Sequence, residues 1–551
     1  MANAFANAIG KKQGLTRNGA VSNTTSGNAI LDYFSKCGSY VGRAEGDVAA
    51  DMGSIFGSND LQALKVVFYN RMVTRKCDGF VEQTDLQKGQ GLRDEFAKSI
   101  AWLEVNRPNL LYSNLWLIPE IGRWSDLWYD SPSSGYFNYV KESEVFSLIK
   151  TGLSNPKHRG LLAKFLPKIK SVSNVKNARH ARLSAFARAL CLFLGWTERE
   201  YRLFKSSPEN TVHLWQRHVS ARRFNEIDFK TVPGKALFKM LTNKGRDGKN
   251  LVSRNGLDET YEKFILSSPI AKFTGYPYEL YTAARQTRNR LQTFTYNAQF
   301  MSLIAAVRQD PNSSLDKKKV LCALDTSGSM EQEVVGKTQA IDICVGLGIY
   351  FSELMSGHFA GNVIMFSDRS EFLKLEGRFC DKVDKISSLP WAMGSTNYQS
   401  VIDLICKMRR DNPQIPVSDY PDTLLVVSDM QFNPANNDWY CEYASKLDSD
   451  TNYQTQMAKL AAVGLPNISV IWWNVNGQYN KNDVPSTIGD TGTTLISGFD
   501  PSIVGVLLDN EIEVEVVNEA TGEVTVEKVK LSPLEQMEKA LDQEILNALK
   551  V

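Results

Sequence analysis

Along the second half of this 551-residue chain, short and nearly unbroken apolar runs alternate with longer amphipathic ones. The runs are Val320-Leu321-Cys322-Ala323-Leu324, Gly361-Asn362-Val363-Ile364-Met365-Phe366-Ser367-Asp368, Leu424-Leu425-Val426-Val427-Ser428-Asp429 and Ile468-Ser469-Val470-Ile471-Trp472-Trp473. Nearly continuous apolar stretches of this length suit strands buried on both faces, since an exposed face would impose alternation. Helical spacing separates them over Ala340 to Leu354, Tyr398 to Met408 and Gln456 to Val463. Strand and helix in alternation predict a doubly wound α/β sheet, with ligands beyond the carboxyl ends of the strands.

From Ala29 to about Ala306 helical periodicity dominates. Leu183, Phe186, Leu190, Phe193 and Leu194 have the spacing of one helix face. Pro108, Pro119, Pro156, Pro167, Pro208 and Pro233 punctuate the pattern. Successive helices with short connectors are compatible with a helical-repeat solenoid, although no clean internal repeat is present and periodicity alone does not establish one. Residues 1–28, rich in Ala, Asn, Gly, Ser and Thr, read as a flexible arm, and 29–317 as the helical domain. Arg308 to Lys319 is the natural linker into an α/β domain over 318–510, which finishes with a helix around Ile503 to Leu508. Within 511–551, Val and Glu alternate from Glu511 to Lys530 around Gly522, which predicts a β-hairpin. Ser532 at N-cap, Pro533 at N1 and Glu535 at N3 then open a last amphipathic helix through Leu549. That tail is expected to pack back on the helical part or on another copy. The fold class is multidomain, α followed by α/β.

Composition adds two things. Apolar content of 43% and charged content of 23% are those of a globular chain. No apolar stretch approaches a membrane span, the N-terminus lacks a secretory apolar region, and eight scattered cysteines include no Cys-x-x-Cys pair. Reduced core cysteines and a cytoplasmic location are expected. The net charge of +2 conceals a strong asymmetry: 47 Lys and Arg face 28 Asp and Glu through Lys319, and 16 face 33 thereafter. Lys157 to Arg188 carries nine Lys and Arg and no acid, whereas solvated helix faces usually interleave both signs. A polyanion-binding surface follows. Its first candidates are Lys164, Lys168, Lys170, Lys176, Arg179, His180, Arg182 and Arg188, then Arg217, Arg222 and Arg223. Phe165, Trp215 and Phe224 are the aromatics that could stack unpaired bases, though pattern alone places Phe165 in the core and reads His180 as solvated.

Candidate chemistry gathers at the strand ends. Asp325-Thr326-Ser327-Gly328-Ser329 follows the first apolar run, Gly394-Ser395-Thr396 offers another hydroxyl, and Asp429 ends the third run. Asp325, Ser327, Ser329, Thr396 and Asp429 form an all-oxygen donor set suited to Mg2+ or another hard cation such as Mn2+. Together they resemble the metal-ion-dependent adhesion site of the von Willebrand factor A domain, in which a partner's Asp or Glu often completes the shell. An acidic protein partner is therefore expected there. The ordinary meaning of Asp-x-Ser-x-Ser is a polar turn, and the rival chemistry is hydrolysis with Asp368 as an extra carboxylate. The α/β half has a single histidine, His358, which offers little acid-base chemistry. Gly336-Lys337-Thr338 imitates the end of a phosphate loop, but Glu331 stands where its first Gly is required.

Helical basic half and α/β half in this order resemble the Ro family, whose helical part is the TROVE module, and still more an uncharacterised Ro-like family. Lys88-Gly89-Gln90-Gly91-Leu92-Arg93 is similar to a family turn, with Gln90 and Leu92 departing from it. Ile118 to Leu127, Phe165-Leu166-Pro167-Lys168, and Tyr201 through Pro233 carry the rest of the likeness, more weakly joined by Gly498-Phe499-Asp500. The resemblance implies a ring of HEAT-like repeats closed by the A domain. It also implies noncatalytic binding of small noncoding or misfolded RNA in a ribonucleoprotein. The alternative is a metal-dependent protein-interaction or assembly component without RNA function.

Overall fold

The computed structural model describes residues 13–39, 41–73, 87–128, 140–171, 177–207, 215–267, 273–286, 288–309, 319–355, 359–390, 394–435, 450–478, 483–504, 508, 511–517 and 524–551. The chain forms two compact units, Val41–Arg223 with Leu541–Val551, and Met1–Tyr40 with Phe224–Ala540.

The first unit is helical, including Glu45–Ile55, Asp60–Arg71, Arg93–Asn106, Glu142–Ser154, Pro156–Phe165, Ala178–Leu194 and Glu198–Ser206. Local chemistry sets the ends. The Asn177 side chain accepts the His180 N–H at the start of Ala178–Leu194, Gly195 closes that helix at φ +70°, and Thr197 and Glu200 cap the next helix reciprocally. Each such cap stabilises by about 1 kcal/mol. The buried face of Ala178–Leu194 runs through Ser184, Phe186, Ala187, Leu190 and Cys191. It is therefore rotated from the expected one, and Phe193 lies at its rim, 44% exposed.

The segment Ile118 to Leu127 is an internal polar frame. Asp126 takes the Arg71 and Arg93 guanidiniums at 2.6 and 2.5 Å, and Glu120 takes His158 at 3.1 Å, which accepts the Trp124 Nε1–H at 3.3 Å. Buried charges need such pairing, so these residues build the unit rather than face a ligand. The C-terminal helix differs from expectation. It breaks into Pro533–Leu541 and Glu544–Asn547. Between them the Gln543 side chain accepts the Lys88 N–H at 2.8 Å and donates to the Lys88 carbonyl at 3.0 Å. Asn114 makes the same paired contact with Lys550, so the tail does pack back on helices.

The second unit contains a six-stranded sheet. Its strands are β3 (Val320–Asp325), β6 (Asn362–Phe366), β7 (Ser370–Lys374), β8 (Thr423–Ser428), β9 (Ser469–Asn474) and β10 (Thr493–Ser497). Their spatial order is β10-β9-β8-β3-β6-β7, parallel except for β7 at one edge. The remaining pairs are hairpins: β1 (Gln13–Leu15) with β2 (Val21–Asn23), β4 (Glu333–Val335) with β5 (Thr338–Gln339), and β11 (Glu511–Val517) with β12 (Val524–Lys530). Gly336, in the β4–β5 turn at φ +60°, belongs to a hairpin and not to a phosphate loop. Helix Ala340–Leu354 is buried almost all round, against β3 and against Pro277–Ala284. A Cβ on Gly346 would come within 2.7 Å of the Tyr278 Cα, so the two helices touch backbone to backbone.

This contact explains why the compact unit begins near Phe224, well before the expected linker. Periodicity reports where strands appear, not where packing ends. Residues 13–28, expected as a flexible arm, also belong here. Asn23 bridges to Val484, and Ser22 donates to the Val484 carbonyl at 3.1 Å. The six described cysteines (Cys37, Cys191, Cys322, Cys344, Cys380 and Cys406) are buried free thiols, and Cys77 and Cys441 lie outside the described residues. No described helix is long and apolar enough to cross a membrane.

Candidate cation site and basic surface

β3 and β8 are neighbours whose chains leave to opposite sides, toward β6 and toward β9. A crevice forms beyond the carboxyl ends of two strands that part in this way. Asp325 ends β3 and Asp429 follows β8, so the topology delivers both carboxylates to that crevice. Asp325 Oδ1 accepts the Ser327 N–H at 2.9 Å, and Oδ2 accepts the Ser428 hydroxyl at 2.5 Å. The Ser327 and Ser329 hydroxyl oxygens are 3.1 Å apart, and Ser329 bonds the Asp429 side chain. Asp429 Oδ1 also accepts the Gln431 N–H at 3.1 Å.

Thr396 is brought in by a separate set of bonds. Its N–H donates to Asn433 Oδ1 at 3.2 Å, and its carbonyl accepts the Asn433 N–H at 2.8 Å. Gly328 donates to the Gly394 carbonyl at 3.2 Å, tying this loop to the first. Gly394 is needed for packing, since a Cβ there would fall 2.1 Å from Asp368 Oδ2. Asp368 itself is exposed and accepts both the Ser395 N–H (2.8 Å) and the Ser395 hydroxyl (2.5 Å). The acid considered as an extra catalytic carboxylate therefore holds the loop that carries Thr396.

Burial, and then the charge of Asp429, push the Asp325 carboxyl up to about 7. Burial raises Asp429 as well, while Ser329, the Gln431 N–H and the Arg17 charge pull it back. Two buried acids side by side repel, and a cation between them reverses that penalty. Among the described residues no cluster of three His, Cys, Asp or Glu is gathered. The donor set here is instead two carboxylates with hydroxyls, all hard oxygens, and it fits Mg2+ or Mn2+. The sequence pattern gave no sign of Ser428, Asn433, Gln431, Arg17 or Asn18, whose roles depend on tertiary placement.

On the helical unit, the segment from Lys168 to Lys170 is tied to helix Ala178–Leu194. The Lys170 N–H donates to Ser184 Oγ at 3.2 Å, and the Arg188 guanidinium donates to the Lys170 carbonyl at 3.1 Å. Lys170 Nζ lies 2.9 Å from His180 Nε2, so His180 is half-buried against a neighbour rather than solvated alone. Lys164, Lys168, Arg179 and Arg188 are exposed, Arg182 is half-buried, and Arg188 is also paired with Glu198 at 3.0 Å. Lys164 Nζ stands 5.3 Å from the centre of the half-buried Phe165 ring. Lys205, absent from the candidates, caps Pro156–Phe165 by donating to the Ala163 (2.7 Å) and Leu166 (2.5 Å) carbonyls. Burial, and then the Lys168 charge, lower its ammonium to about 8. Arg222 and Arg223 are exposed in a turn that holds Arg222 at φ +55°. Trp215 and Phe224 are half-buried. Lys176, His358 and the Arg217 side chain lie outside the described residues.

Residues 319–541 match a family model described as a domain of unknown function, DUF7788. "Uncharacterized protein L728" of Acanthamoeba polyphaga mimivirus is 23% identical over 532 residues, covering 90% of this chain and 84% of that protein. Among solved structures, the Ro (RSR) protein of Deinococcus radiodurans is similar with a TM-score of 0.40 and 14% identity, over 76% of this chain and 87% of that one.

Proposed function

We propose that this chain is a noncatalytic RNA-binding protein whose α/β unit holds a divalent cation that docks an acidic protein segment. The observation that carries the RNA reading is the strip from Lys157 to Arg188, nine cations without an acid. Its Lys168–Lys170 portion lies along the middle of helix Ala178–Leu194, with the Lys170 side chain reaching back to His180 in the first turn. The positive end of that helix adds to the field of Arg179 and Arg182, with His180 beside them. Backbone phosphates of small noncoding or misfolded RNA are the natural ligand of such a surface.

At the other site, Asp325, Ser327, Ser329, Thr396 and Asp429 hold the cation. Bound there, Mg2+ or Mn2+ neutralises the paired acids and accepts an outside carboxylate. The noncatalytic assignment rests on this donor set, with Asp368 committed to Ser395. A second reading, cation-dependent docking without RNA, draws support from Arg188 and Lys170, which are partly engaged by Glu198 and His180.

Fluorescence anisotropy with a short single-stranded RNA, titrated with salt, separates the two. The RNA reading expects affinity to fall steeply, by orders of magnitude, between about 50 and about 200 mM salt. Absence of binding at the lowest salt leaves the docking reading.

A further inference from the structure

The turn of the N-terminal hairpin lies against the candidate cation site. Thr16 Oγ1 donates to the Phe432 carbonyl at 2.7 Å, and the Arg17 N–H donates to Gln431 Oε1 at 2.7 Å. Asn18 Nδ2 donates to the Gln431 carbonyl at 2.5 Å and reaches Thr396 Oγ1 at 3.4 Å. All four contacts fall on Thr396 or on the two residues that begin one step beyond Met430, which itself follows Asp429. The Arg17 charge is felt at Asp429. The turn thus touches one proposed ligand side chain, covers the loop after another, and brings the Arg17 charge within electrostatic reach of Asp429.

We propose that this hairpin is a built-in competitor for the site, held where a partner's carboxylate-bearing segment would approach the cation. The proposal rests on the cation reading above and goes beyond it. Two features suit the hairpin to release. Its strands are only three residues long, and Leu15 is 59% exposed, so little apolar burial anchors the first strand. The second strand is pinned separately through Asn23 and Val484, so the turn has an anchor about which to lift. Inside the hairpin, the Gly19 N–H already satisfies the Thr16 carbonyl at 2.9 Å. The turn therefore keeps its internal bond whether docked or free. The Arg17 amide is different, because its bond to Gln431 exists only when the turn is docked.

The test uses the full chain and Mn2+ alone, by electron paramagnetic resonance titration and by hydrogen exchange. In the Arg17→Gln/Asn18→Ala variant a competing charge and the Asn18 side-chain contacts with Thr396 and the Gln431 carbonyl are gone, while the backbone N–H of residue 17 can still meet Gln431 Oε1. Mn2+ binding is then expected to tighten by about threefold to tenfold, the range of one screened charge at short distance. In the wild type, saturating Mn2+ is expected to speed exchange of the Arg17 amide. Thr16→Val, which loses the bond to Phe432 and the bond that its hydroxyl accepts from the Ala20 N–H within the turn, gives a smaller tightening, and unchanged exchange of the sheet amides in each variant guards against a folding artefact. Unchanged or weaker Mn2+ binding in the variants, or an Arg17 amide indifferent to Mn2+, overturns the competitor role while the cation site stands. Absence of Mn2+ binding by wild type and variants alike overturns the cation reading and this proposal with it.

Discussion

Asp325 is fully buried, with both carboxylate oxygens taken by donors two residues away and on a neighbouring strand, while Lys168 stands exposed at the edge of a helical unit. The two regions obtain charge chemistry by opposite means. At the strand ends, backbone topology places the acids together, and burial makes their charge costly, a cost that a bound cation would relieve. On the basic strip, solvent screens each cation, and the effect comes from number and sign. Precision at the first region and summation at the second predict different responses to substitution.

The largest effect is expected at the precise site. Asp325→Asn keeps the shape and removes a ligand charge, so Mn2+ binding measured by calorimetry should fall by at least about 100-fold with folding intact. Ser428→Ala, which removes the hydroxyl on Asp325, should cost roughly 10-fold, as outer-shell partners of metal ligands do. If both variants bind as well as the wild type, the oxygens at these strand ends form only a polar turn.

The strip should respond by degrees. Reversing Lys168, Lys170, Arg179 and Arg182 together should weaken RNA binding by about 100-fold. It should also flatten the salt slope by roughly 0.7 for each lost phosphate contact on a single strand. Arg188→Ala, already paired with Glu198, should cost about threefold or less. An equal loss from Arg188 alone would mean that the strip works through one dominant contact.

Stability against pH gives a smaller, separate signal. The Asp325 carboxyl sits near 7 when folded, above the roughly 3.9 of a free aspartate. Between those values the folded state keeps a proton that the unfolded chain has lost. Stability of the metal-free protein should therefore fall as pH rises through that window, and level off above it. Saturating Mg2+ should reduce the decline, since it stabilises the ionised form. Denaturant melts at stepped pH, with and without Mg2+, check this, and a flat metal-free profile would contradict the buried pair.

How much of this was legible in the sequence follows the same division. β3, β6, β8 and β9 were readable because strands buried on both faces write continuous apolar runs. β7, Ser370-Glu371-Phe372-Leu373-Lys374, is an edge strand carrying charges, and β10 begins with two threonines, so neither announces itself. The acids and hydroxyls of the candidate cation site were readable as neighbours because strand ends fix them locally. Their supports were not: Ser428 reaches Asp325 across 103 residues, and Asn18 reaches Thr396 across 378. Asn, Ser and Thr in residues 13–28 look like a loose arm in sequence because their partners lie far along the chain. The break before Gln543 is similar, as only its contact with Lys88 shows why one amphipathic pattern yields two helices.

The most direct test of the RNA account is crosslinking and sequencing of nucleic acid bound to the full chain in its native host cell. It should be run beside the variant reversed at Lys168, Lys170, Arg179 and Arg182. Enrichment of small RNAs or RNA 3′ ends with the wild type, lost with the variant, is the predicted result. Recovery of RNA no higher than background, or equal recovery with both proteins, would contradict it.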